Sequence, residues 1–289
     1  MILKEIDEIN PLHAKKIQKN RQLFDNEFDE AFNPMIENFS RVLNKQSLNI
    51  HYAVKCYIRM ITEITLEMIN YSRCGTYSNA SYSDVEQRVY ADNEKFNDFK
   101  ISLFISELLW PQHFLIFLHF TKLFRQYGEK GNRFIDIGGS HGQYLQYIMN
   151  APLKERSALL FTNPLSLDMV NWFVSSSEYD LIYEDSADKE FGKYDWVTMG
   201  ETLEHTENPV KYISLAIQLL RRGGFLFVTA PINAPAIDHV FCYRNKEEVI
   251  ALFKDKDLTL LDEFQVYAEE SQKLNSKASS IWSALFRIN

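Results

Sequence analysis

The stretch Phe134-Ile135-Asp136-Ile137-Gly138-Gly139-Ser140-His141-Gly142 constrains the fold of this chain more than any other. An apolar run carrying an acid passes into glycines, then into Gln143-Tyr144-Leu145-Gln146-Tyr147-Ile148, which reads as a helix. Glycine takes positive φ and presents no Cβ, so a ligand can come close to the backbone. A strand, a glycine turn and a helix in that order open the α/β sheets that dock nucleotide-like cofactors.

Downstream, strand and helix signals alternate, the mark of a parallel sheet. Strands are expected at 133–137, 158–161, 180–183, 196–199 and 225–230, with a closing pair at 260–267 and 283–288. Asn208-Pro209 reads as a helix start and Gly223-Gly224 as that helix's end. The fold class is therefore α/β, a Rossmann-like sheet over residues 126–289, behind an all-helical region over residues 1–125. The turn-rich tract from Gln126 to Asn132 marks the boundary.

In the helical region Val54, Tyr57, Ile58, Ile61, Ile64 and Met68 recur at helical spacing. Residues 72–83 read as a polar loop, and Ser83 with Glu86 as a capping box. The apolar stretch 101–124 holds Glu107, Pro111, His113, His119 and Lys122, which a lipid-exposed span tolerates poorly. It reads as two buried helices broken at Pro111, with no membrane partner. Cys56, Cys74 and Cys242 form no CxxC pair and suit a reducing cytoplasm. Residues 126–289 hold 16 basic and 23 acidic side chains, most of the chain's net charge of −8, which argues against a nucleic-acid partner.

Three segments in order resemble the class I S-adenosylmethionine-dependent methyltransferases: the glycine turn, Tyr194-Asp195-Trp196-Val197-Thr198-Met199-Gly200-Glu201-Thr202-Leu203-Glu204-His205, and Leu219-Leu220-Arg221-Arg222-Gly223-Gly224-Phe225. The resemblance implies an enzyme with S-adenosylmethionine as cofactor. By position, Asp136 would fix the amino-acid end of the donor and Gly138, Gly139 and Gly142 would give it clearance. Thr162 or Asn163 would stand where the family places a ribose-binding acid, Asp185 and Ser186 would flank the adenine, and Met199 and Gly200 would complete the cradle.

Glu201, Glu204 and His205 are spaced i, i+3, i+4, so on a helix they would share one face. The run is similar to the metal-binding E-x-x-E-H of ubiquinone-pathway O-methyltransferases and of small-RNA 3′-end methyltransferases, and Ile237-Asp238-His239-Val240-Phe241 to the latter's D-H-x-F. That implies Glu201, Glu204, His205 and His239 as ligands for Mg²⁺, Mn²⁺, Zn²⁺ or Fe²⁺. Glu204 and His205 are the expected catalytic pair; in metal-free relatives the histidine alone is a base or positions the substrate, while the residue at Glu201 contacts the cofactor and that at Glu204 caps or pairs on the helix. Trp110 and His113 flank Pro111 and are expected to touch the acceptor. The expected activity is methylation of a small molecule, at oxygen, in specialised natural-product metabolism, by a cytoplasmic enzyme for which a homodimer is the expected assembly. RNA 3′-terminal ribose methylation and a non-catalytic, cofactor-binding regulatory partner are the alternatives.

Overall fold

The computed structural model describes residues 2–21, 26–128, 131, 133–139, 142–149, 157–162, 167, 170–172, 174, 178–268 and 278–289. The strands are β1 (Phe134–Ile137), β2 (Ala158–Phe161), β3 (Asp180–Tyr183), β4 (Tyr194–Met199), β5 (Leu220–Ile232), β6 (Leu258–Tyr267) and β7 (Ser280–Ile288). They form one sheet in the order β3-β2-β1-β4-β5-β7-β6, with β7 antiparallel to both neighbours and the remaining pairs parallel. Every residue of β1 and β4 is buried, as central parallel strands covered on both faces must be. Chain order reverses between β1 and β4, and ligands of such sheets bind outside the strand C-termini at that point.

Side-chain alternation splits the core in two. Ile135, Ile137, Val197, Met199, Leu226 and Val228 point to one face, where a helix, Pro209–Leu219, covers them with Ile213, Ala216 and Leu219. Phe134, Trp196 and Phe227 point to the other, merging with the helical region in one core.

That region comprises α1 (Ile2–Ile9), α2 (Pro11–Arg21), α3 (Asn26–Lys45), α4 (Ile50–Cys74), α5 (Tyr82–Val85, running on as a π-turn to Tyr90), α6 (Asn93–Leu109) and α7 (Pro111–Tyr127). α6 and α7 meet at 70°, as Pro111 required, and no single helix among the described residues is long and apolar enough to cross a membrane. α7 lies on the sheet: the Phe120 ring is 5.2 Å from Phe227 and 4.7 Å from Tyr144, and the Phe124 ring is 5.2 Å from Trp196. His119 anchors it further, with Nδ1 hydrogen-bonded to Ser283 Oγ at 2.8 Å and Nε2 3.3 Å from Asp262.

Two local expectations move. The capping box is Ser81 with Asp84, two residues before the expected pair, because the Asp84 carboxylate accepts from both Ala80 and Ser81 amides. Asn208 does cap the helix at Pro209, but that helix stops at Leu219, and Gly223-Gly224 lies inside strand β5, where a Cβ at Gly224 would meet the Asp195 and Arg221 carbonyls at about 3 Å.

Candidate functional site

The loops after β1 and β4 meet at the reversal point. Gly138, Gly139 and Gly142 all take positive φ, 82°, 71° and 74°. At Gly138 a Cβ would also stand 2.9 Å from Thr202 Oγ1, so the position is closed to other residues twice over. Gly200 is required differently: a Cβ there would stand 2.5 Å from the Tyr144 ring. Met199, just before it, is wholly buried in the sheet core.

The register of β1 on β4 places Asp136 beside Thr198, whose hydroxyl donates to Oδ1 at 2.5 Å. Asp136 Oδ2 has no hydrogen-bond partner among the described residues, and burial pushes the carboxyl up to about 7 against that hydrogen bond. The Thr162 hydroxyl, also buried and without a partner among the described residues, stands on the other side of Gly138. Asn163 lies outside the described residues. Asp185 and Ser186 sit on a 3₁₀ turn after β3, Asp185 exposed and Ser186 donating to the Tyr183 carbonyl at 2.9 Å; neither lines the cavity described next.

A cavity of about 730 Å³ opens from Gly138 and Thr162. Its walls include Glu201, His205 and His239 from the sheet domain, Trp110 and His113 from the α6–α7 elbow, and an apolar arm of Ile17, Ile61, Ile64, Phe99 and Leu103 from the helical region. Trp110 is fixed there by donating from Nε1 to Tyr57 OH at 2.9 Å.

The E-x-x-E-H run is not helical throughout. Glu201 takes φ 44°, held by its amide donating to Thr229 Oγ1 at 2.8 Å, and only Leu203–His205 form a 3₁₀ turn. The left-handed residue breaks the shared face and the run divides. Glu204, His205 and His239 converge in one group, with ligand-capable atoms within 4.8 Å of one another, and Glu201 joins Glu107 and His113 in another.

In the first group both imidazoles are oriented by backbone. His205 Nδ1 lies 3.0 Å from the Asp238 carbonyl and His239 Nδ1 2.8 Å from the Ala234 carbonyl. A nitrogen facing a carbonyl carries the proton, so each ring keeps its lone pair on Nε2. Glu204 is fully buried, both its oxygens lack hydrogen-bond partners among the described residues, and the nearer stands 3.6 Å from His205 Nε2. Burial pushes its carboxyl up to about 8, the neighbouring His205 opposing. Burial alone would lower His205, but the Asp238 and Glu204 carboxylates outweigh it and raise the ring; burial holds His239 down to about 4. The loop that carries His239 is pinned by Asn79, which donates to the Ile237 and His239 carbonyls at 2.8 and 3.0 Å.

Sequence reasoning missed Glu107, Thr198 and the orienting role of Asp238. Glu107 had no signal to find, since it and His113 sit six positions apart across a bend. Thr198 declares itself only once the β1–β4 register is known.

A family model described as a methyltransferase domain matches residues 111–273. A ubiquinone biosynthesis O-methyltransferase from Aromatoleum aromaticum is 27% identical over 145 residues, which cover 49% of this chain and 62% of that enzyme's length. Similar solved structures include the N-methyltransferase NodS from Bradyrhizobium japonicum in complex with S-adenosyl-L-homocysteine (16% identity, TM-score 0.47, covering 73% of this chain and 99% of that one). Another is the Burkholderia thailandensis 1,6-didemethyltoxoflavin-N1-methyltransferase (13% identity, TM-score 0.47, covering 67% and 87%). With its glycine turn at the reversal point of a 3-2-1-4-5-7-6 sheet and a family match over more than half its length, this chain belongs to the class I S-adenosylmethionine-dependent methyltransferases.

Proposed function

We propose that this protein transfers a methyl group from S-adenosylmethionine to a hydroxyl of a small molecule, a specialised metabolite. The observation that carries the proposal is the single cavity joining the glycine turn to His205, Trp110 and His113, so that donor and acceptor would share one space. The residues fit the donor: Gly138 gives clearance, the buried Asp136 carboxyl suits an ammonium group, and the Thr162 hydroxyl suits a sugar hydroxyl. When bound, the cofactor supplies an electrophilic methyl on a positively charged sulfur. The protein's part is alignment, exclusion of water and acceptance of the hydroxyl proton. His205, oriented through Nδ1, offers Nε2 for that proton, and the Asp238 carboxylate 3.6 Å away favours the charged ring that results.

The same atoms suit a divalent ion. Glu204, His205 and His239 would hold it, each imidazole through Nε2 with its Nδ1 on a carbonyl, the usual arrangement behind a metal-binding histidine. The ion would acidify the acceptor hydroxyl. A panel of phenols and alcohols assayed with methyl-labelled donor tests the reading, together with calorimetry of S-adenosylhomocysteine. Activity lost in chelator and restored by Mg²⁺, Mn²⁺ or Zn²⁺ is the result expected for the ion; full activity in excess chelator leaves His205 as the unaided base. No binding of the cofactor product would sink the enzyme reading. The apolar arm of the cavity and the acidic sheet domain favour a small acceptor over RNA.

A further inference from the structure

Among the described residues a second set of chemistry-bearing side chains converges on the cavity wall. Glu107 lies in the last turn of α6, His113 in the first turn of α7, and Glu201 comes from the left-handed position after β4. His113 Nδ1 is in contact with Glu107 Oε1. One ligand-capable atom from each of the three lies within 4.8 Å of the others. Two ligands bound about 2.1 Å from one ion stand about 3 Å apart at a right angle and about 4.2 Å apart when opposite, so shifts of under about 1 Å would close this set on an ion.

The chemistry of the donor set points the same way. The Glu107 side chain is 2% exposed and that of His113 9%. With the imidazole neutral, the two carboxylates match a divalent ion. An imidazole lone pair also favours a metal over an organic ammonium, which a protonated ring would repel.

We propose that Glu107, His113 and Glu201 form a second cation site, taking a first-row divalent ion such as Mn²⁺ or Zn²⁺, separate from the Glu204–His205–His239 group. Two of its ligands come from the helical region and one from the sheet domain, so the ion would tie the α6–α7 elbow to the β4 turn. His113 and Glu201 line the cavity, leaving the ion's remaining positions toward the acceptor space.

Metal content of the whole protein, stripped with chelator and dialysed against Mn²⁺ or Zn²⁺, tests this without reference to methyl transfer. The expected result is one bound equivalent fewer than wild type in Glu107→Gln and in His113→Gln, an equivalent that His239→Gln retains. Metal uptake by Glu107→Gln and His113→Gln equal to that of wild type overturns the site, as does a wild-type protein that takes up no metal. Should those variants fail to fold by circular dichroism, the intact cluster can be read through Trp110, whose ring is 5.2 Å from that of His113. In a His239→Gln background, which disables the other group, Co²⁺ should then quench tryptophan fluorescence, with at least half the quenching lost on adding Trp110→Phe. Absence of any Trp110-dependent quenching would overturn the site whatever the methylation assays show.

Discussion

Asp136 is an acid in a place that disfavours its charge. Its carboxyl is raised to about 7 by burial, so between the ordinary aspartate range and pH 7 the folded protein holds a proton that the unfolded chain has released. Stability from this group is therefore fully present below about pH 4 and lost as pH rises through 7. Asp136→Asn keeps an acceptor for the Thr198 hydroxyl and removes the titration. It should melt higher than wild type at pH 8, by a margin that shrinks at pH 5, and bind the cofactor product more weakly. Thermal melts across that range check the first point; equal margins at both pH values would contradict it. Gly138→Ala faces both a φ of 82° and the Thr202 hydroxyl at 2.9 Å. It should cost about 1 kcal/mol or more in urea unfolding and at least tenfold in cofactor affinity by calorimetry. At this scale the sequence was readable where glycine or proline forces geometry, at Gly138 and Pro111. It was silent at Glu201, since nothing in a glutamate announces a left-handed backbone, and the expected helical face fell with it.

α7 shows how far an element can be read in isolation. Its apolar positions announced a buried helix, but periodicity says which face is covered and not by what. The structure supplies the partner: Phe120 and Phe124 cover Trp196 and Phe227, and His119 reaches Ser283 on β7. His119→Leu should lower stability by about 1–3 kcal/mol, because the fully buried Ser283 hydroxyl keeps, among the described residues, only a 3.4 Å contact to the Phe264 carbonyl. Adding Ser283→Ala should return part of the loss, since removing both partners of a buried hydrogen bond costs less than removing one. Chemical denaturation of the double-mutant set decides it; strictly additive losses would show that the pair is not coupled.

For the whole molecule, the strand pattern and the place of the glycine turn were legible because buried parallel strands are written as contiguous apolar runs. The division of labour between helices and sheet was not. One core runs from Ile6 and Phe39 through α7 to Phe134 and Leu285, so the residues before 126 supply a face of the sheet as well as a wall of the cavity. A fragment of residues 126–289 should consequently lack a cooperative thermal transition and bind hydrophobic dye, having lost the aromatic cover of Trp196 and Phe227. A sharp, two-state melt of that fragment would contradict this picture.

The place of β7 between β5 and β6 has a consequence for synthesis. β6 leaves the ribosome first, yet β7 is its one strand neighbour among the described residues, so it must wait with an open edge until residues 268–288 have emerged. Such edges are where chains pair with the wrong neighbour. A frameshift or nonsense codon after residue 279 would thus strip two strands rather than one, and slow translation just before that point would lengthen the interval in which the nascent chain needs a chaperone.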